Sequence, residues 1–177
     1  MKNRVLDPRL IAVTAVMSAV VFVVTGMVRV PTPVLGYVHL GDAPIFFAAF
    51  AFGPWVGAIA GALGTALADM SGGYAQWAPF SFLVHGLQGF LAGLIARTAV
   101  RSAARPGAAE WTRLLLAVAA GSLVVVGGYF IAGMILVGVA AAAAEIPFNV
   151  VQVLCGALVG TPLYLAVRRA YPPLVQR

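Results

Sequence analysis

Hydrophobic positions in this chain come in long uninterrupted blocks. No Asp, Glu, Lys or Arg occurs in Leu10–Val28, Ala43–Ala68, Met70–Ala96, Leu114–Ala144 or Ile146–Val167. Each block meets or exceeds the roughly 18 apolar residues that mark a membrane-spanning helix. Three blocks carry internal signals. Phe52-Gly53-Pro54 is a helix-breaking combination. Ser71-Gly72-Gly73 and Pro79 punctuate the third block, and Leu114–Ala144 is long enough for a helix plus a loop. The expected class is an all-α integral membrane protein, with one transmembrane domain over residues 1–177, no second domain and no internal repeat.

Charge placement fixes the number of spans. With Lys2, Arg4 and Arg9 on the cytoplasmic side, five spans leave only three of the 11 basic residues inside. Splitting Ala43–Ala68 at Gly53-Pro54 gives six spans and places ten of the 11 inside, including Arg97, Arg101, Arg105, Arg113, Arg168, Arg169 and Arg177. Only Arg29 is then outside. The positive-inside rule prefers six, with both termini cytoplasmic. The spans run approximately over 10–28, 41–52, 54–71, 79–98, 113–138 and 145–168. The second, about 18 Å long, cannot cross a core of about 30 Å alone. It must tilt into a thin region or pack behind other helices. The loop Arg29–Gly41, with Pro31, Pro33 and Gly36, is expected to be extended or folded as a lid. Ser102–Glu110 reads as a short polar cytoplasmic loop.

Composition narrows function further. Of the 177 residues, 62% are hydrophobic and 9% charged, against about 25% charged in soluble domains. The formal charge of +6 fits residues flanking spans better than a nucleic-acid surface. The single Cys155 excludes an internal disulfide and a zinc cluster. Leu10–Val28 is too long for a signal-peptide core and ends in no A-x-A site. The only lysine is Lys2, so no P-loop exists to bind and hydrolyse ATP. G-x-S-x-G and H-E-x-x-H are absent too. No metal site is expected, because His39 and Asp42 have no further His or Cys at ligand spacing.

Small residues recur four apart at Gly57/Gly61, Ala58/Ala62/Ala66, Gly89/Gly93 and Gly156/Gly160. Such spacing lets helix backbones approach closely in lipid, and internal packing is the expected use. Ala15 and Ala19 lie on the first helix, whose neighbours the sequence does not assign, so a partner surface fits them.

The polar residues gather at one end of the six-span arrangement. Arg29, His39 and Asp42 lie at the outer mouth. Asp69 ends the third span and is followed by Tyr74, Gln76 and Trp77. Ser81, His85 and Gln88 share one helix face, as do Glu145, Asn149 and Gln152. The inner halves carry almost no polar side chains. Polar groups at membrane depth are costly unless paired or facing a cavity, so a shared outward-facing pocket explains the pattern. Individually, Asp42 or Asp69 also fits a helix-end role, Trp77 an interfacial anchor, and His39 a turn cap.

Most of the chain, and the stretch from Gly36 to Ala96 above all, resembles the substrate-binding S components of energy-coupling factor (ECF) vitamin transporters, nearest to those of the hydroxymethylpyrimidine and riboflavin type. The matching features are G-Y-x-H-L-G-D at Gly36–Asp42, F-G-P at Phe52–Pro54, A-L-A-D at Ala66–Asp69 with Gly73-Tyr74, and E-I-P-F-N-V-V-Q at Glu145–Gln152. The resemblance implies six helices and a ligand held near the outer face under the loop after the first helix. It implies no catalysis and no cofactor. It also implies partners: a transmembrane coupling protein and two ATP-binding subunits, which agrees with the missing P-loop. The family's A-x-x-x-A contact with the coupling protein maps onto Ala15 and Ala19.

The pocket set of Arg29, His39, Asp42, Asp69, Tyr74, Trp77, His85, Gln88, Glu145, Asn149 and Gln152 holds three acids and one arginine. That balance disfavours a strongly anionic ligand and suits a neutral or weakly basic nitrogen heterocycle. Tyr74, Trp77 or Phe80 offers a stacking surface. Within that class, the resemblance implies a hydroxymethylpyrimidine thiamine precursor first, then pyridoxine or riboflavin. Two other classes stay open. A stand-alone transporter or channel needs polar inner halves, and an intramembrane enzyme needs a catalytic set from His39, Asp42, His85 and Glu145 that no spacing argues for.

Overall fold

A computed structural model describes residues 7–32, 36–97 and 107–171. Six helices and one short ribbon follow in order. They are α1 (Pro8–Met27), β1 (Arg29–Pro31), β2 (Tyr37–His39), α2 (Asp42–Phe52), α3 (Pro54–Ser71), α4 (Ala78–Ala96), α5 (Ala108–Leu136) and α6 (Val139–Ala170). The described residues are mostly helical, as expected, with one short addition. Part of the Arg29–Gly41 loop is an antiparallel ribbon, with Arg29 opposite His39 and Pro31 opposite Tyr37.

Local chemistry explains the boundaries. The Asp7 side chain accepts a hydrogen bond from the Arg9 amide at 2.9 Å, and Pro8 occupies the first turn of α1. Gly53 separates α2 from α3 with φ 95°, in the left-handed region that glycine tolerates, and Pro54 then starts α3 without needing an N–H partner. Gly138, with φ 89°, makes the same kind of break between α5 and α6. The first four helices begin and end close to the expected span limits. However, α5 begins at Ala108 rather than 113, and α6 at Val139 rather than 145. Alanine-rich Val139–Ala144 is good helix sequence, and α6 runs on through Pro147 and Pro162. Ala108–Glu110, expected in a loop, are helical. Residues 102–106 of that loop, together with Lys2, Arg4, Pro33, Arg101, Arg105 and Arg177, lie outside the described residues.

Among the described residues, four helices are long and apolar enough to cross a membrane: α1, α4, α5 and α6. Their side-chain distribution is inside out. On α4, Phe82, Leu83, Leu87 and Leu94 are exposed, while Ser81, His85 and Gln88 are buried. On α6, Val151, Leu154, Leu158 and Leu163 are exposed, while Glu145, Asn149 and Gln152 are buried. On α3, Trp55, Ile59, Leu63, Leu67 and Met70 form one exposed apolar stripe. Lipid accepts such a surface and water does not.

The helix α2 has only 11 residues, roughly 16 Å by helical rise, and all but Phe47 and Phe52 are buried. It packs between α3, α4 and α6. Glycine makes that possible. A Cβ at Gly156 would collide with Asp42, and one at Gly160 with the Ala43 backbone. Gly57 and Gly89 put α3 and α4 in the same close contact, while Gly61 lies against His85 and Gly93 against Pro54. These pairs serve internal packing, as the spacing predicted. At the edge, α1 buries Met17, Val21 and Thr25 and leaves Ala15 and Ala19 exposed. At the far end of the bundle, Arg168 in the last turn of α6 pairs with Glu110 in the first turn of α5, both buried. Each charge suits its helix dipole. Arg168 is thus a buried partner as well as a flanking charge.

Close approach predicts opposite outcomes for two glycines on exposed-to-buried extremes. Alanine normally favours a helix over glycine by up to about 1 kcal/mol. At Gly89 its methyl meets the Gly57 backbone, which cannot give way, so Gly89→Ala is expected to cost about 1–3 kcal/mol. Gly127 has nothing within 4 Å, so Gly127→Ala is expected to hold or raise stability. Melting curves in one detergent check this, and equal shifts for the two variants would refute the packing account.

Candidate ligand site

A polar cavity lies at the end of the bundle where α3 finishes and α4 and α6 begin. Its lining includes Tyr37 and His39 from the ribbon, Asp69 from α3, Trp77 and Ser81 at the start of α4, Tyr129 from α5, and Glu145 and Asn149 from α6. Its volume is about 30 Å³. One water needs roughly 10–15 Å³, so a ring-sized ligand must part these side chains.

The ribbon forms the cavity's roof because polar side chains strap it down. Thr32 Oγ1 donates to Glu145 Oε1, and Tyr37 OH donates to Asp69 Oδ1. The His39 amide donates to Gln152 Oε1 at 3.1 Å. Arg29 reaches the C-terminal carbonyls of α3, donating to Ala68 O at 3.2 Å and Gly72 O at 3.4 Å. Its guanidinium also lies over the rings of Tyr37 and Tyr74, at 4.6 and 5.6 Å. A cation at a helix C-terminus is favourable in its own right. Burial, reinforced by His85 and Arg29, holds the His39 imidazole well below its ordinary pKa. Its Nδ1 accepts from the Gly41 amide at 3.1 Å, so its proton sits on Nε2. Burial and the neighbouring Asp69 push the Tyr37 hydroxyl up, so it keeps the proton it donates.

Behind the cavity runs a chain of buried side chains. Gln88 Nε2 donates to Asp42 Oδ1. Gln88 Oε1 lies 2.7 Å from His85 Nδ1, His85 Nε2 lies 3.0 Å from Tyr129 OH, and Tyr129 OH lies 2.7 Å from Ser81 Oγ. Asp42, His85 and Gln88 are all 0% exposed. Asp42 Oδ2, Asp69 Oδ2 and Gln152 Nε2 are three of the buried atoms that have no hydrogen-bond partner. Of the three, only Asp69 belongs to the cavity lining.

The expected pocket residues therefore fall into three groups. His39, Asp69, Trp77, Glu145 and Asn149 line the cavity. Asp42, His85, Gln88 and Gln152 stand behind it. Arg29 and Tyr74 flank it, with the Tyr74 ring 4.6 Å from that of Tyr37. Phe80 is absent from the lining and Gln76 is exposed. Asp42 does stand at a helix end, in the first turn of α2, but it does not cap that helix. Gly41 is the cap, and the Asp42 carboxylate bonds across to α4. Trp77, 7% exposed, faces the cavity rather than the membrane interface. His39 does cap its turn, through Nδ1, while also lining the cavity. Sequence reasoning missed Thr32, Tyr37 and Tyr129. Tyr129 had a signal, since a tyrosine in an uncharged helix needs a partner for its hydroxyl.

Known proteins share this architecture. A family model described as "ECF-type riboflavin transporter, S component" matches residues 5–169. An uncharacterised protein of Pyrococcus woesei is 34% identical over 88% of this chain and 99% of its own length. The thiamine precursor transporter HmpT of Lactococcus lactis is 32% identical over 92% of this chain and 85% of its own. A solved S component of a bacterial ECF transporter superposes with a TM-score of 0.64 at 23% identity, covering 96% of this chain and 98% of that one. An S component carries substrate recognition and leaves ATP hydrolysis to other subunits, which accounts for a chain with no P-loop. This chain belongs to the S component family of ECF transporters, and is a substrate-binding, non-enzymatic, multi-pass subunit of a prokaryotic plasma membrane that pairs with coupling and ATPase modules for vitamin uptake.

Proposed function

We propose that the cavity under the ribbon is the substrate site, and that the substrate is a small amino-substituted nitrogen heterocycle of the hydroxymethylpyrimidine type. One observation carries the reading. Polar side chains from the ribbon, α3, α4, α5 and α6 converge on one cavity, and Asp69 Oδ2 is buried there without a partner. A carboxylate in that setting suits a ring N–H or exocyclic amine. Trp77 and Tyr37 offer faces for a flat ring. The likeness to a thiamine precursor transporter supports the pyrimidine. Pyridoxine and riboflavin follow. The family description favours riboflavin, and the small cavity disfavours its tricyclic ring.

His39, Asp69, Trp77, Glu145 and Asn149 are then contact residues, joined by Tyr37, Ser81 and Tyr129. Asp42, His85, Gln88 and Gln152 position them, and Arg29 and Tyr74 hold the roof. We place the chain as one transmembrane domain with six spans, α2 being buried by the others, and with both termini cytoplasmic. The ribbon and cavity then face outside, and Arg97, Arg113, Arg168 and Arg169 face inside. Exposed Ala15 and Ala19 on α1 form the surface that meets the coupling protein.

Three measurements test these assignments. Titration with 4-amino-5-hydroxymethyl-2-methylpyrimidine should show Asp69→Asn and Asn149→Ala binding about tenfold or more weakly, from a lost buried contact of roughly 1–3 kcal/mol. Leu158→Ala on the exposed face should bind normally, and unchanged affinity in both cavity variants would remove the site. In a Cys155→Ser background, Gln76→Cys should react with impermeant thiol reagents on intact cells and Ala109→Cys should not. The reverse pattern would invert the topology. Bulky residues at Ala15 and Ala19 should abolish uptake while ligand binding by the isolated chain survives. Equal loss of binding would place those alanines in the core's service rather than the partner's.

A further inference from the structure

The buried chain behind the cavity has a direction, and that direction bears on which substrates fit. The Gln88 amide NH₂ donates to Asp42 Oδ1, which turns Gln88 Oε1 toward His85. An amide oxygen only accepts, so the hydrogen in the 2.7 Å contact belongs to His85 Nδ1. In a neutral imidazole the other nitrogen then accepts, and Tyr129 donates to His85 Nε2 across 3.0 Å. The one hydroxyl hydrogen of Tyr129 is thereby committed away from the cavity.

The consequence appears at the cavity wall. Tyr37 has given its hydrogen to Asp69 Oδ1. Tyr129 has given its own to His85. Only the Ser81 hydroxyl hydrogen remains, and the Tyr129 oxygen lies 2.7 Å from Ser81 Oγ. One hydrogen thus serves the whole wall, and Asp69 Oδ2 has no hydrogen-bond partner. We infer that His85 is held as its Nδ1–H tautomer, opposite to the Nε2–H form of His39, and that Asp42 and Gln88 thereby make the Tyr129–Ser81–Asp69 wall an acceptor surface that admits only ligands bringing N–H or O–H groups to it. Gln88 does not line the cavity, so it is a positioning residue for selectivity. The ligand half of the inference rests on the cavity being the substrate site, whereas the tautomer half does not.

The opposite arrangement has clear content. Asp42 Oδ1 lies 3.7 Å from His85 Nδ1, and an imidazolium there would carry hydrogens on both nitrogens. Nε2 would then donate to Tyr129, Tyr129 to Ser81 and Ser81 to Asp69. The wall would be satisfied and would not demand donors. His39, with its ring centroid 5.2 Å from that of His85, and Arg29 are the other basic groups on this side.

The chain has two histidines, so nitrogen NMR of histidine-labelled full-length protein in nanodiscs reads the answer directly. The expected spectrum shows one Nε2–H and one Nδ1–H neutral ring, with His39→Asn removing the first. An Nε2–H or doubly protonated His85 overturns the inference. A second arm compares 4-amino-5-hydroxymethyl-2-methylpyrimidine with its 4-methoxy analogue, which has no N–H on the ring or at position 4. The wild type should favour the amino compound by about tenfold or more, because the methoxy oxygen sets acceptor against acceptor. Gln88→Met and Tyr129→Phe should each shrink that ratio several-fold. If both affinities fall together and the ratio holds, those residues are merely structural and the selectivity claim is wrong. If neither pyrimidine binds while the two tautomers are as assigned, the relay stands and the pyrimidine reading falls.

Discussion

The structure depends on a completely buried carboxylate, Asp42, in the first turn of a helix too short to cross the membrane. Hydrocarbon offers no water to satisfy a polar group, so each one must find a protein partner or face a cavity. Asp42 finds Gln88, and through it the buried part of α4. Gly156 lets the α6 backbone come down on Asp42 itself. The bundle is built around α2 because the alternatives, lipid or solvent, are closed to it.

A short central helix leaves space at one end, and that space decides where chemistry can occur. The ribbon covers it and is tied to α3 through Arg29 and Tyr37, and to α6 through Thr32 and the His39 amide. The ties are all polar, so a ligand offering competing hydrogen bonds can exchange with them. At the far end, Glu110 and Arg168 close the α5–α6 pair with a buried ion pair. Removing one partner of such a pair leaves an uncompensated charge, typically at several kcal/mol. One end of the molecule is thus built from replaceable contacts and the other from contacts that are costly to break.

Much of this was legible in the sequence. Unbroken apolar blocks and the Gly53-Pro54 break gave helix limits that survive almost unchanged in the first four helices. The i, i+4, i+7 polar faces on α4 and α6 are buried and meet at one end, because only an inward face can hold Ser81, His85, Gln88, Glu145, Asn149 and Gln152 in lipid. Less was visible where pairing is long-range. Thr32 with Glu145 and Tyr37 with Asp69 join positions far apart in the chain, and neither partner signals the other. The ribbon itself was expected only as an extended segment or a folded lid, because strands of three residues around prolines carry no periodicity. Burial also split the candidate pocket into a lining and a second layer, a division that helical spacing cannot make.

A substrate bound beneath the ribbon should exclude solvent from the ribbon's own backbone. Hydrogen–deuterium exchange on the full chain in nanodiscs, with and without 4-amino-5-hydroxymethyl-2-methylpyrimidine, reads this directly. The account predicts slower exchange at residues 36–41 when the pyrimidine is bound, and no change at residues 110–114 at the opposite end. Binding that leaves residues 36–41 unchanged, or that protects the opposite end instead, would contradict it.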